Sequence, residues 1–282
     1  MNSSNHLLIE LKKIKKIINS SKTSSANSII SKLEEFKEKN SLKNPNNILL
    51  KNSLNYILHL DQDIEGNFKK SMLNRLDEAK DHLSKSTHTI CGFGSKKIKN
   101  GMNIFVYDIN EIMLNLISYT KEKNKKFNLI STESRPHFEG RYLAKYLYKL
   151  NLPFTMYLDC AARLAIKDSD IILIGADNID LNGTCYSKIG SEMFAEIARN
   201  QGVPVYICAD SWQLNPGNFS FHDVSFPQES IWKSLPKNTS VNTHIYEKIN
   251  PGLITGIISD LGIYNPYMFV QQAVRNNSWM FI

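Results

Sequence analysis

The sequence predicts an α/β protein in two parts: a helical N-terminal domain over residues 1–100 and a parallel-sheet domain over residues 101–282. Three observations carry this. Apolar residues recur every three to four positions through the first hundred residues, the period of an amphipathic helix. Near Gly101 the pattern changes to short apolar runs separated by further helical stretches, and strands alternating with helices imply a parallel sheet with right-handed crossovers. Between Ser131 and Ala195 the turns after these runs carry Glu, Arg, Asp, Lys and Gly. Ligands of open parallel sheets collect beyond the carboxyl ends of the strands, so these turns mark a candidate crevice.

The elements follow in order. Leu7, Leu11, Ile14 and Ile18 form one helical stripe; Ile29, Ile30, Leu33 and Phe36 a second; Leu50, Leu54, Ile57 and Leu58 a third; Leu73, Leu76, Ala79 and Leu83 a fourth. Ser and Asn clusters at 20–28 and 40–47 separate them. Ile104–Tyr107 is a buried-strand run, residues 110–123 are helical, and Phe127–Ile130 is the next strand. A helix over 139–150, strands at Phe154–Leu158 and Ile171–Ile174, a helix over 191–201 and a strand at Val205–Cys208 continue the alternation. Residues 211–250, rich in Pro, Asn and Ser, read as an irregular excursion. Leu253–Ile258 is the last predicted strand, and a short helix closes the chain.

With 282 residues, 42% hydrophobic and 22% charged, the chain can bury a sizeable core and reads as globular. No apolar run approaches the roughly 20 residues of a membrane helix. The opening MNSSNHLLIELKKIKKII lacks the apolar core of a signal peptide. Cys91, Cys160, Cys185 and Cys208 form no CxxC pair and have no histidine cluster beside them, which argues against a metal site and for a reducing cytoplasm. The net charge of +7 is concentrated in residues 1–130, with 22 Lys+Arg against 13 Asp+Glu; residues 131–282 hold 12 against 14. The lysines alternate with glutamates on helix faces, and aromatics are not interleaved as a single-strand groove needs. A solvated surface is therefore the favoured reading over nucleic-acid binding.

Gly92-Phe93-Gly94 begins like a dinucleotide loop, but Lys97 stands where a third glycine belongs and the segment follows a helix. No P-loop occurs, so no nucleotide cofactor is expected. Asp177, just past the run Ile171–Ile174, can act as general acid or base or hold a sugar hydroxyl; it can also simply cap a turn. Gly175 and Gly183 beside it suggest backbone close to something. Lys188 precedes a helix start, where an ammonium and helix N–H groups together suit a phosphate; the alternative is a surface lysine. Arg135 can clamp an anion, or pair internally with Glu133 or Glu139, and the internal pair is favoured. Cys91, on a helical segment, reads as core.

Taken together and in order, TESRPHFEG (132–140), LDCAAR (158–163), GADNIDLNG (175–183), SKIGSEMFAEIA (187–198), VPVYICADSW (203–212) and PGLITGIISDLGIYNP (251–266) are specific. The chain resembles the superfamily of the alpha, beta and delta regulatory subunits of translation initiation factor 2B. Its enzymatic relatives are methylthioribose-1-phosphate isomerase and ribose-1,5-bisphosphate isomerase. The resemblance implies a helical N-terminal domain and a Rossmann-like parallel-sheet domain that dimerises, giving a homodimer, a higher oligomer or an assembly with related subunits. It also implies that a cysteine and an aspartate carry the isomerases' aldose-to-ketose conversion. The aspartate maps to Asp177, and the lysine of the Asn-Lys-Ile-Gly motif to Lys188, with Ser187 in place of the asparagine.

The family's cysteine ends the first sheet strand, so Asp108 takes its place here. The isomerases' phosphate-holding Arg-Pro pair maps to Asn44-Pro45, and their Arg-Gly-Ala turn falls at Ser21–Ser25 without a match. Loss of an arginine removes a bidentate phosphate grip. These departures favour a non-catalytic protein like the regulatory subunits, with a crevice for a sugar phosphate or nucleotide. The alternative is an active sugar-phosphate isomerase in which Asp108 and Asp177 form a carboxylate pair, one protonated and one ionised. The candidate site is then Asp177 and Asp108 for chemistry, with Lys188, Arg135, Glu139, Ser187 and Gly175 around the ligand.

Overall fold

The computed structural model describes residues 3–20, 26–43, 46–59, 68–217 and 225–281. Its N-terminal part is helical: α1 (Ser3–Ser20), α2 (Ala26–Lys43), α3 (Ile48–Leu58) and α4 (Phe68–Lys97). The predicted stripes meet in one core, where Leu11, Ile14 and Ile18 of α1 pack with Leu33 of α2, Leu54 of α3 and Leu76 of α4. Asn47 caps α3 by accepting the Leu50 N–H at 3.0 Å. Trp212 and Met280, from the far end of the chain, close the same core. The Asn52 amide donates to the carbonyls of Trp212 and Leu214 at 2.7 and 2.8 Å.

α4 is 30 residues long, about 45 Å at 1.5 Å per residue. Its first half serves the helical core, and Ile90 and Cys91 in its second half pack on the sheet. Gly94–Lys97 is the last turn of this helix, where Lys96 and Lys97 meet the negative end of the dipole. His82 of α4 also reaches the sheet domain: it hydrogen-bonds Asp210 at 3.0 Å and stacks on Trp212 with centroids 4.0 Å apart.

The remaining elements begin with β1 (Asn103–Tyr107), α5 (Glu111–Glu122), β2 (Asn128–Thr132), α6 (Glu139–Lys149), β3 (Phe154–Tyr157), α7 (Ala162–Lys167) and β4 (Ile171–Gly175). Then come β5 (Asn178–Ile179), β6 (Cys185–Lys188), α8 (Ser191–Gln201), β7 (Val205–Cys208), β8 (Tyr246–Ile249), β9 (Gly256–Ser259), β10 (Gly262–Tyr264) and α9 (Pro266–Asn276). The main sheet runs β10-β9-β7-β4-β1-β2-β3, parallel throughout except for β10. Its strands are apolar on both faces, as a covered parallel sheet requires. Phe105, Ile172, Ile174 and Ile207 point into a layer with α7, α8 and α9. Ile104, Val106, Leu173 and Cys208 point into the opposite layer with α4, α5 and α6.

β5, β6 and β8 form a small antiparallel sheet that the sequence reading did not anticipate. β6 and β8 read Cys-Tyr-Ser-Lys and Tyr-Glu-Lys-Ile, without an apolar run. β8 thus ends the stretch 211–250 with order where an irregular excursion was expected. The last predicted strand is also shifted: Pro251–Leu253 is a 3₁₀ turn and β9 starts at Gly256. No described helix is long and apolar enough to cross a membrane.

Candidate active site

From β1 the chain moves outward to β2 and β3, then returns to β4 on the other side of β1. The carboxyl ends of β1 and β4 therefore flank the topological switch point, where open α/β sheets bind ligands. Asp108 follows β1, and Ala176-Asp177 follow β4. The closeness of the two ends depends on Gly175. A Cβ there would lie 2.2 Å from the Asp108 carbonyl oxygen and 2.8 Å from the Asn110 amide nitrogen. Gly140, the second residue of α6, is similarly constrained, since its Cβ would stand 2.0 Å from the Thr132 carbonyl. That contact seats the start of α6, and with it Glu139, on the end of β2.

The small sheet brings in the cation. Lys188, the last residue of β6, places Nζ 3.1 Å from Asp108 Oδ1 and also bonds Glu139. The Ser187 hydroxyl lies 2.8 Å from both Asp108 Oδ2 and the Gly175 carbonyl, and accepts from Ser191 at 2.9 Å. Asp177 is fixed by its own N–H, which donates to the Tyr186 carbonyl at 3.0 Å. Tyr246 stands directly across the ladder from Lys188. The Tyr107 hydroxyl, below, donates to the Ile189 carbonyl at 2.7 Å.

Asp108, Asp177, Glu139, Lys188, Ser187 and Gly175 thus come together at one place. The charges explain how this is tolerated. Burial pushes the Asp177 carboxyl up to about 7, the Asp108 charge adds to the rise, and the Lys188 charge opposes it. Burial also raises Glu139, against the pull of Lys188. Burial works against the Lys188 ammonium, but Asp108, Glu139 and Asp177 outweigh it and hold its pKa above the ordinary lysine value. Three carboxylates thus face one ammonium, and burial raises two of them, Asp177 and Glu139.

The backbone is unusual here as well. Asp108, Ser134 and Phe138 adopt left-handed φ values of 50°, 60° and 57°. Among the described residues, the other non-glycine positions with positive φ are asparagines, and Asn and Asp tolerate that region. Ser134 and Phe138 in it mark places where the surroundings over-determine the chain.

Arg135 is placed differently from the favoured expectation. Its guanidinium sits 5.4 Å over the Phe138 ring, on the exposed rim. Glu133 pairs instead with Arg141, and Glu139 with Lys188. The cause is local: Asp159 accepts the N–H groups of Ser134 and Arg135 at 2.8 and 2.9 Å, holding this turn so that Arg135 faces outward. Between Lys188, Glu139, His137 and Phe226 the crevice encloses about 10 Å³, room for one water. The rings of His137 and Phe226 meet edge to face across it, 4.1 Å apart. Asn44, Pro45 and Ser21–Ser25 lie outside the described residues. Cys91 is buried in the layer under the sheet, and burial pushes its thiol up to about 12.

Among the described residues, the grouping with metal-like spacing is His82, Asp210 and Asp260, with ligand atoms within 4.8 Å of one another. Its acids already have protein donors. Asp210 accepts from Trp212 N–H and Ser86, and Asp260 from the N–H and hydroxyl of Ser211. The sequence reading did not single out Tyr246, Tyr107 or Asp159. A tyrosine in a polar stretch and a strand-end tyrosine carry no signal until the small sheet is folded over the crevice.

The fold and site define an α/β protein with a candidate crevice at the switch point. The model of the Initiation factor 2 subunit family matches residues 2–266, and the chain belongs to that family. It is 29% identical over 252 residues to a ribose 1,5-bisphosphate isomerase of Methanocaldococcus jannaschii, covering 84% of this chain and 81% of that one. It is 27% identical over 250 residues to the protein of the same name from Thermococcus kodakarensis, covering 83% and 77%. Among solved structures, translation initiation factor eIF-2B of Pyrococcus horikoshii shares the fold with a TM-score of 0.77 at 21% identity, covering 94% and 99%. The 5-methylthioribose 1-phosphate isomerase of the same organism does so with a TM-score of 0.71 at 19% identity, covering 95% and 82%.

Proposed function

We propose that this protein is an aldose–ketose isomerase acting on a sugar phosphate, with ribose 1,5-bisphosphate the first substrate to test. The observation that carries the reading is the convergence of Asp108 and Asp177 on Lys188, with one carboxyl raised to about 7. Similarity over most of the chain to proteins named ribose 1,5-bisphosphate isomerase supports it over the non-catalytic reading.

The chemistry needs one acid and one base. For a sugar closed through C1 and phosphorylated there, the bond from C1 to the ring oxygen breaks and the C2 proton moves to C1. In net, the proton of the C2 hydroxyl passes to the ring oxygen. Asp177, neutral at the start, gives its proton to the ring oxygen. Asp108, its charge balanced by Lys188, takes the proton from C2 and returns it to C1. Asp177, now ionised, accepts the proton of the C2 hydroxyl and is restored. Lys188 holds phosphate once Glu139 yields, with Arg135 on the rim as a second cation.

The test is conversion of ribose 1,5-bisphosphate to its ketose by the purified protein. The second reading, a ligand-sensing protein without catalysis, is favoured by the Lys188–Glu139 pair that fills the crevice. A rise in Tm with the bisphosphate and no turnover would select it. Both readings include a homodimer or higher oligomer, which sedimentation equilibrium measures. The four free thiols support a reducing, cytoplasmic setting.

A further inference from the structure

We propose that the amino-terminal edge of the main sheet, opposite the crevice, is a docking surface for single-stranded nucleic acid. α4 leads into β1 and α5 into β2, so both helices end where the strands begin. The turns that follow, residues 96–101 and 122–126, hold six lysines and one acid, Glu122. The fold ties the two turns together. The Gly101 N–H donates to the Lys126 carbonyl at 2.7 Å, and the Lys126 N–H to Asn100 Oδ1 at 2.8 Å. The Lys125 ammonium is used within the fold, donating to the Ser95 and Ile98 carbonyls at 2.5 and 2.7 Å. Lys96, Lys99, Lys123 and Lys126 are exposed. Asp168 and Asp170, which precede β4 on the same edge, bound this surface; they accept from the Tyr157 hydroxyl and the Asn103 N–H, each at 2.8 Å. Part of the positive excess of residues 1–130 is thereby gathered on one surface, which attracts a chain of phosphates.

A single strand also needs rings on which its bases stack. The sequence shows no aromatics interleaved with the lysines, but the fold supplies them. The Lys96 ammonium lies 5.4 Å from the centroid of the Phe93 ring, Lys97 5.0 Å from that of Tyr206, and Lys123 5.0 Å from that of Tyr119. Phe93 and Tyr119 are half-buried, on the packed helices α4 and α5. A base can take the place of a lysine on such a ring while the lysine turns to a phosphate. These rings choose among polyanions. A lipid surface also asks for exposed apolar anchors, and among the described residues none of the large exposed apolar side chains lies between 93 and 127. An acidic protein surface would use the lysines and leave the rings without a partner.

The experiment follows the anisotropy of labelled oligouridylate and oligodeoxythymidylate titrated with the full chain. Affinity should fall roughly 50-fold between 50 and 200 mM salt, the slope for about four neutralised phosphates on a single strand. Lys96→Glu, Lys99→Glu and Lys126→Glu combined should weaken binding by at least about tenfold. The same charge change at Lys12, Lys16 and Lys32, exposed on α1 and α2, should cost less than about threefold. Phe93→Leu with Tyr119→Leu should weaken the oligonucleotides about tenfold and leave heparin, a polyanion without bases, unaffected. If a variant does not fold, bound oligonucleotide should still shield Lys96, Lys99 and Lys126 of the wild type from acetylation. A preference for one of the two oligonucleotides shows which sugar is read and sustains the proposal. Absence of binding at low salt, equal loss from the two lysine triples, or unshielded lysines overturn it. Ring variants that bind the oligonucleotides as wild type does also overturn it, and mark the surface as one for an acidic protein.

Discussion

Asp177 is the residue on which the proposed chemistry and stability meet. Its pKa lies above that of the unfolded chain, so its contribution to stability is fully present below pH 3.8 and is lost as pH rises through about 7. Asp177→Asn removes the ionisation that causes this loss. The Tm difference between variant and wild type should therefore move in the variant's favour from pH 4 to pH 7 and then level off. The same substitution should lower kcat/KM for ribose 1,5-bisphosphate by roughly 10²–10⁴-fold, the worth of a positioned proton donor. Asp177, Lys188 and Asp108 were legible in the sequence because each lies at the end of an apolar run or inside a motif of fixed order. The orientation of Arg135 was not, because it depends on Asp159, 24 residues further along, gripping two backbone N–H groups.

At the scale of elements, the approach of β1 to β4 leaves no room for a side chain at Gly175. Gly175→Ala would force a methyl group into the Asp108 carbonyl and should cost about 1–3 kcal/mol in urea unfolding, a typical penalty for overpacking. Activity should fall further than stability, because the same contact sets the distance between the acid and the base. A second test concerns α4 and its clasp on the sheet domain. Asp210 lowers its pKa and His82 raises its own through their pairing, although burial opposes both.

The His82 contribution is full below pH 6.5 and lost as pH rises through its raised value, while that of Asp210 is full above pH 3.8. His82→Ala leaves a buried carboxylate without its cation and should cost about 3 kcal/mol. The cost should be larger at pH 5.5 than at pH 8.5. The strands of the main sheet could be read from their apolar runs, whereas β6 and β8 could not. Their residues are chosen by the crevice they cover, so they lack the periodicity that exposes an ordinary strand.

The molecule as a whole is more closely knit than its two-part sequence suggests. Trp212 and Met280 complete the core of the N-terminal helices, and Trp212 also packs against Tyr56 and Trp279 with centroids 5.0 Å apart in each case. A fragment of residues 101–282 should expose these rings. It should bind a hydrophobic dye and unfold without a sharp transition, where the full chain unfolds cooperatively. The contact between Lys188 and Glu139 gives the whole assembly a clock. An anion held by Lys188 as proposed would have to wait for Glu139 to leave, so capture should proceed in two stages. In stopped-flow mixing, the observed rate should climb with ligand concentration and then reach a ceiling set by the opening of that pair. Glu139→Gln should lift the ceiling, and a rate that stays linear at every concentration would mean the door was never shut.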